Sequence, residues 1–386
     1  MKLPVPIALV DGRRQIVVVS RSGATRPQTG GQGLLWASWS QHEAPDVHSW
    51  PTWSPDGRRI AAFRIAKSGQ SSRVWVNDIQ GVEAAEVSMM GDRVPIYLQW
   101  SLDGSRLAVL SQDARSLVLQ IADPRGNVRD SELLRGSPLF FTWVEGTRIA
   151  AFVGGAEPSK PRLAIVTPSG QRHDLVGAPG NFCAPMRTTR GLAYVAHVRG
   201  HVAVLVSSVD GAHVRELESV DGLVAIMASP DGEAIARAIS HDGTGTPYES
   251  LELLDPDTAI STPITERSCI AFFWLPDASG VVLAHSDGED GEVTWFRVSL
   301  EGEEQELFRL VPSRDSRVYL RFFEQYGPSH PIVSPTGDYL LLCGTPATDR
   351  EGASRIYIVP LDGSPAEEIG EGLFACFAPL STPPEL

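Results

Sequence analysis

The 386-residue chain lacks the short signatures that announce a chemistry. It holds no Gly-x-Ser-x-Gly elbow, no His-Glu-x-x-His, no Gly-x-x-x-x-Gly-Lys-Ser/Thr loop and no Gly-x-Gly-x-x-Gly between strand and helix. Serine hydrolase, metalloprotease and nucleotide-binding readings therefore have no residues to stand on. No run approaches the ~18 apolar residues that a membrane helix needs, and no long stretch repeats with the period of an added helical domain. Positive charge is scarce: 33 Lys and Arg face 47 Asp and Glu, a net charge of -14. That balance argues against nucleic acid or an anionic membrane surface as the main partner. The four cysteines, Cys183, Cys269, Cys343 and Cys376, sit in apolar segments without CxxC spacing, as expected of buried free thiols in a reducing cytoplasm. The apolar start, Leu3 to Val10, contains Pro4 and Pro6 and runs into Asp11, Arg13 and Arg14. It is too short for a secretory core, so a cytoplasmic location is expected.

Turn formers, by contrast, are plentiful, with 36 Gly and 29 Pro. They fall in a repeat: Trp53-Ser-Pro-Asp-Gly57, Trp100-Ser-Leu-Asp-Gly104, Ala228-Ser-Pro-Asp-Gly232 and Val333-Ser-Pro-Thr-Gly337. Each is followed by an apolar run, such as Ile60 to Phe63 or Leu107 to Leu110. Pro presets φ, Asp bonds back to its own backbone and Gly accepts positive φ, so each copy reads as strand, turn, strand. Degenerate copies occur at Trp143 to Gly146, around Thr188 to Gly191 and at Trp274 to Asp277.

A second set of hairpins interleaves with the first, turning near Gly23, Gly81, Gly126, Gly170, Gly211, Thr258, Gly302 and Gly363. Four strands per unit and a period in the forties describe an all-β chain of four-stranded antiparallel blades, a β-propeller. Eight blades are favoured over seven. Residues 50–372 would supply seven complete repeats, 1–49 the outer strands of a closing blade, and Leu373 to Pro379, within 373–386, its innermost strand. The whole of 1–386 is then a single domain.

The Trp-Ser-Pro-Asp-Gly signature and the strand after it resemble the TolB-like, or PD40, propeller repeats, and the resemblance covers essentially the whole chain. It implies the fold. It implies little about function, because relatives with such blades serve as protein-docking platforms, as gating domains of prolyl oligopeptidases and as metal-dependent lyases, so function has to come from a site. The prolyl oligopeptidase kind needs a hydrolase domain after the propeller, which this sequence is not expected to carry.

Trp53, Trp100, Trp143 and Trp274 recur at one repeat position, which suits packing between neighbouring blades better than a ligand platform. His197, His241 and His285 are 44 residues apart and close the second strands of successive units. Two of them could share a divalent ion, but three such positions fan outward, so no cofactor is expected. The acidic runs Asp287 to Glu292 and Glu301 to Glu306 read as solvated loops. Spacing between the turns marks two further segments. Gly23 to Gly57 spans 34 residues and Gly302 to Gly337 spans 35, where ordinary intervals run from 20 to 23. The extra residues, 24–49 and 311–330, belong to the blade ends opposite the Pro-Asp-Gly turns, on the histidine face. They carry Trp36, Trp39 and His48 in one, with Trp50 directly after it, and Arg321, Phe322, Tyr326 and His330 in the other. Aromatics and Arg on long insertions are what binding hot spots favour. The expectation is a non-enzymatic scaffold, monomeric on its own, that docks a protein or peptide on this face. The alternative is a small-molecule enzyme, a metal-dependent lyase or hydrolase, at the channel mouth on the same face.

Overall fold

A computed structural model of the chain describes residues 3–20, 35–38, 47–66, 72–79, 84–87, 93–126, 132–155, 160–180, 183, 185–242, 246–286, 291–346, 349 and 352–380. The fold is all-β, made of antiparallel strands with two short helices. Four sheets have four strands each, in chain order: Val47–Trp53 to Ala84–Val87, Val94–Trp100 to Glu132–Gly136, Leu139–Glu145 to Arg172–Asp174, and Leu223–Ala228 to Ser261–Thr265. A fifth sheet, built around Gly191–Val198 and His201–Ser207, has its first strand broken into Ala178–Pro179 and Met186–Thr188. The sixth sheet is ten-stranded and runs from Ala271–Trp274 through Glu304–Pro312, Tyr339–Pro346 and Glu367–Phe377 to Ile7–Asp11, Ile16–Ser20 and Leu35–Ser38. Within it the two ends of the chain pair, with Ile7 opposite Phe377 and Val10 opposite Phe374. Among the described residues no helix is long and apolar enough to cross a membrane.

The sequence shows why the sheets stack. A sheet with one wet face alternates apolar and polar residues, whereas one covered on both faces carries continuous apolar runs. The second strands are of the latter kind: Ile60 to Phe63, Leu107 to Leu110 and Val281 to Ala284 are all buried. The repeated tryptophans fill the space between sheets and fasten it. Trp100 Nε1 donates to Thr52 O at 3.1 Å, Trp143 Nε1 to Gln99 O at 3.2 Å and Trp274 Nε1 to Met227 O at 3.0 Å. Each acceptor lies one residue before the equivalent position of the preceding repeat. All four cysteines are free and buried.

The turn repeat works as the sequence indicates. Ser54 Oγ donates to Asp56 Oδ1 at 2.5 Å and accepts from Arg59 N at 2.9 Å, while Gly57 takes a φ of 66°. Ser101, Ser229 and Ser334 accept the equivalent amide bonds, and Gly104, Gly232 and Gly337 share the positive φ. Burial works against the charge of Asp56, but bonds from Ser54 and the Arg58 amide and the nearby arginines outweigh it and hold its carboxyl below the usual range. A depressed carboxyl stabilises the fold above its unfolded value, and that contribution is lost as pH falls through the folded one. Asp56→Ala is expected to cost about 1 kcal/mol, measured by urea unfolding at neutral pH, and little at a pH low enough to protonate the wild-type carboxyl.

Two expectations need correcting. Segment 24–49 is not one inserted loop, because Leu35–Ser38 within it is a strand paired to Ile16–Ser20, with Ser20 opposite Leu35. The next unit then opens at Val47, ahead of the expected Trp50. Residues 21–34 and 39–46, and Trp39 with them, lie outside the described residues.

Candidate functional site

The second insertion folds into helices. Strand Glu304–Pro312 ends at a proline, and Ser313 caps α1 (Arg314–Arg321) by accepting from Ser316 N at 3.0 Å. Asp315 in the first turn and Arg321 in the last complement the helix dipole. A second, one-turn helix, α2 (Phe323–Tyr326), follows directly. Tyr319 of α1 and Phe323 and Tyr326 of α2, three residues apart on one face of that turn, are all buried.

These rings do not rise from the propeller but pack into it. Tyr326 lies 4.6 Å from Trp50 and 5.0 Å from Tyr97, ring to ring; Phe323 is 5.1 Å from Phe272, and Tyr319 is 5.4 Å from Phe374. Hydrogen bonds fix the same segment. Tyr97 Oη donates to Gln325 O at 2.7 Å, Thr52 Oγ1 to Ser329 O at 2.7 Å and Tyr319 Oη to His330 O at 3.0 Å, while Ser313 Oγ donates to Leu373 O at 2.5 Å. The Ile226 amide donates to Glu324 Oε1 at 3.1 Å. Thr52, Tyr97, Ile226, Phe272 and Phe374 stand on strands of four different sheets, Phe272 and Phe374 in the ten-stranded one, so the helices plug the space on which those strands converge.

Trp50 reaches the plug at a backbone cost. The strand Val47–Trp53 bulges between Ser49 and Thr52, and Trp50 takes a φ of 54°, a region that non-glycine residues rarely occupy. The bulge brings its indole to 4.9 Å from Phe374 and 5.7 Å from His330. His330 is buried, with Nδ1 2.7 Å from Ser329 Oγ, and burial pushes its pKa down to about 3, so the ring is neutral. Glu324 departs from its ordinary state in the opposite sense. Removal from water pushes its carboxyl up to about 8, against the smaller pull of the Ile226 amide.

Among the described residues, three of the cavities that border the plug bear on the site. One of about 590 Å³ is lined by Trp50, Val94, Tyr97, Val318, Phe322 and Tyr326 among others. A second, of about 630 Å³, is lined by Tyr248, Arg317, Arg321, Phe322 and Glu324 with apolar neighbours such as Leu223 and Ile270. Both open at the starts of first strands, the end away from the Pro-Asp-Gly turns. The third, about 190 Å³, lies at the turn end beside Trp143, Ser229, Glu324 and Gln325. Glu324 borders two cavities that open toward opposite ends of the plug.

The sequence-derived candidates separate accordingly. Trp50, Tyr326 and His330 come together, but as the packed interior of the plug rather than as exposed contacts. Arg321 and Phe322 stay exposed, with the Arg321 guanidinium 5.6 Å from the Phe322 ring centre. His48 stands in the strand Val47–Trp53, where its amide donates to Arg14 O at 2.8 Å. Trp36 is placed only by its pairing opposite Val19. The three histidines remain apart. His197 is exposed, His241 Nδ1 donates to Asp221 O at 3.1 Å, and His285 Nδ1 donates to Ser268 O at 2.8 Å. Among the described residues no group of three or more His, Cys, Asp or Glu could hold a metal ion. Sequence reasoning does not single out Tyr97, Val94, Val318, Arg317 or Glu324. The aromatic spacing of 319, 323 and 326 was the available signal for the plug, while nothing local marks a lone acid between Phe323 and Gln325.

Consecutive four-stranded antiparallel sheets of this kind define a β-propeller architecture. No protein-family model matches the sequence, and no curated protein does. Among solved structures, a eukaryotic initiation factor is similar at 14% identity with a TM-score of 0.57, covering 97% of this chain and 98% of that one. An oligogalacturonate lyase from Vibrio parahaemolyticus is similar at 15% identity with a TM-score of 0.52, covering 93% and 97%. A prolyl endopeptidase is similar at 13% identity with a TM-score of 0.57, covering 86% of this chain and 50% of that one, so the present chain spans half its length. At such identity the likeness is one of fold.

Proposed function

We propose that this chain is a non-catalytic docking propeller whose working surface is the plug face, where α1 and the link to α2 emerge between two cavities. The proposal takes the ring as eight blades. Its support is the ten-stranded sheet, which divides into three units if Val333, bridged to Leu340, and the second half of Glu367–Phe377 act as first strands. Five separate sheets and these three units make eight.

The observation that carries the function is an exposed apolar cluster on an otherwise well-buried scaffold. Val94 is 53% exposed, Val318 37% and Phe322 36%, and all three line the cavity of about 590 Å³. Scattered exposed apolar residues need no explanation, but a cluster rimming a preformed apolar cavity marks a site where another molecule is seated. The buried rings of Tyr97 and Tyr326 and the half-buried ring of Trp50 beneath it act as a rigid floor, which reduces the ordering that binding must otherwise supply.

Phe322→Ala is expected to weaken partner binding by on the order of 2 kcal/mol, as truncating a central aromatic anchor does, while leaving the unfolding transition in place because the ring is exposed. Hydrogen exchange on the complex tests the placement. Amides at Val94 to Tyr97 and Val318 to Phe322 should gain protection. Protection confined to the turns at Asp56 and Asp231 would sink the reading.

A further inference from the structure

The two cavities of the plug face differ in chemistry, and the difference indicates what kind of molecule spans them. Helix α1 places Arg314, Arg317 and Arg321 at spacings of three and four residues, hence along one exposed stripe. Among the described residues none of the three forms a salt bridge, although acids outnumber bases in this chain by 47 to 33. Arg317 and Arg321 line the cavity of about 630 Å³ beside apolar Leu223, Ile270 and Leu320. Guanidinium forks at an apolar wall suit a carboxylate brought in by an apolar neighbour. Phe322 lines both cavities, so a molecule that occupies both crosses its ring.

We infer that the occupant is an extended peptide segment carrying one or two carboxylates among large apolar side chains, with a carboxylate held by Arg317 and Arg321 and an apolar anchor in the cavity floored by Trp50 and Tyr97. The inference rests on the docking reading above. Charge narrows it further. The chain's net charge of -14 repels a polyanion at a distance, and the cavity that Arg317 and Arg321 line also holds Glu324 and ends at Ser286 and Gly291, either side of the acidic run 287–290, so it offers two cationic forks and no extended basic surface. A nucleic-acid backbone, charged at every residue, is disfavoured on that balance, and a peptide of modest negative charge is not.

The test uses phage-displayed random dodecapeptides selected on the full chain, followed by affinity measurement on the best synthetic sequence. Selection should enrich Asp or Glu beside Phe, Trp or Leu. The Arg317→Gln/Arg321→Gln double variant should bind that peptide on the order of tenfold more weakly, and the peptide's Asn/Gln counterpart should lose as much on the wild-type chain and be indifferent to the arginine substitutions. A consensus without acids, an unchanged affinity in the double variant, or a mixed-sequence oligoribonucleotide that competes for the same arginines would overturn the inference. Phe322→Ala separates the two levels of the argument. If peptide binding needs Phe322 and not the arginines, the acidic occupant is wrong and the docking face stands. If it needs neither, or no sequence is enriched, both fall. All three side chains are exposed, so a matching thermal transition in each variant confirms that binding, not folding, is what changed.

Discussion

Replacing Glu324 with glutamine is expected to stabilise the protein above neutral pH and to flatten its stability profile between about pH 5 and 9. The wild-type carboxyl, kept from water on α2, holds its proton to about 8 instead of the ordinary 4.5. A folded value above the unfolded one means that the native chain binds the proton more tightly. Stability from this group is therefore full below the unfolded value, falls as pH rises between the two, and is constant beyond the higher one. Across that window the loss is at most about 4 kcal/mol, reduced to the extent that the two bordering cavities hydrate the partly buried carboxyl. Glutamine keeps an acceptor for the Ile226 amide and cannot ionise, so it removes the loss while preserving the bond. The neighbours do not compensate. Burial holds Cys183 and Tyr248 well above their usual values, with the Glu324 charge adding to each, so both stay neutral through this range. Thermal unfolding of both proteins from pH 5 to 9 decides the matter. Parallel profiles would mean that the carboxyl reaches solvent and titrates normally.

That effect has a structural consequence. Glu324 borders cavities toward both ends of the plug, and its amide partner lies on the strand Leu223–Ala228. Ionisation thus acts on the contact that ties α2 to the sheet of Leu223–Ala228, while the contacts of Tyr97 with Gln325 and Ser329 tie the segment to the sheet of Val94–Trp100. Phe322, on the proposed docking surface, sits directly ahead of α2, so its placement depends on those contacts.

What could be read from the sequence was local. Ser-Pro-Asp-Gly specifies its own turn, since each of its residues acts within a few positions of itself, and the serine and glycine geometry recurs unchanged at Ser54, Ser101, Ser229 and Ser334. The tryptophans were legible for a related reason: a repeat carries its packing partner with it, so Trp100 meets the carbonyl of Thr52 as Trp143 meets that of Gln99. The insertions were legible only as extra length. Four residues, Leu35–Ser38, are too few to show strand alternation, and the aromatics of 319–326 attract notice as exposed anchors unless their spacing is read as helical turns with a buried side. Direction was the part the sequence withheld. Whether a helix of eight residues turns outward to solvent or inward against Trp50 and Tyr97 depends on strands more than two hundred residues away.

Deleting residues 373–386 is expected to abolish cooperative folding. Strand Glu367–Phe377 serves two neighbours: Ile358 pairs with Glu367 and Arg355 with Glu371 in its first half, while Val10 pairs with Phe374 and Ile7 with Phe377 in its second. Cutting after Gly372 leaves the first pairing and removes all of the second but Asp11 opposite Gly372. The strand Ile7–Asp11 would then present an open edge whose residues Ile7 to Val10 are buried in the intact protein, a template for association with other chains. The plug suffers as well. Trp50, Tyr319 and His330 lose the Phe374 ring, and Ser313 loses the carbonyl of Leu373 at the cap of α1. Each buried phenylalanine removed from a core costs about 3–5 kcal/mol, and both Phe374 and Phe377 go. Together with the lost ladder this consumes a stability that for ordinary domains is about 5–15 kcal/mol. The truncated chain should therefore show no sigmoidal urea transition and should elute as aggregate in size-exclusion chromatography. Phe377→Ala supplies the graded comparison, retaining the ladder and lowering stability by about 3–5 kcal/mol with a cooperative transition intact. A truncated chain that stayed monomeric and unfolded at the wild-type midpoint would show that the pairing of the two ends contributes nothing to the fold.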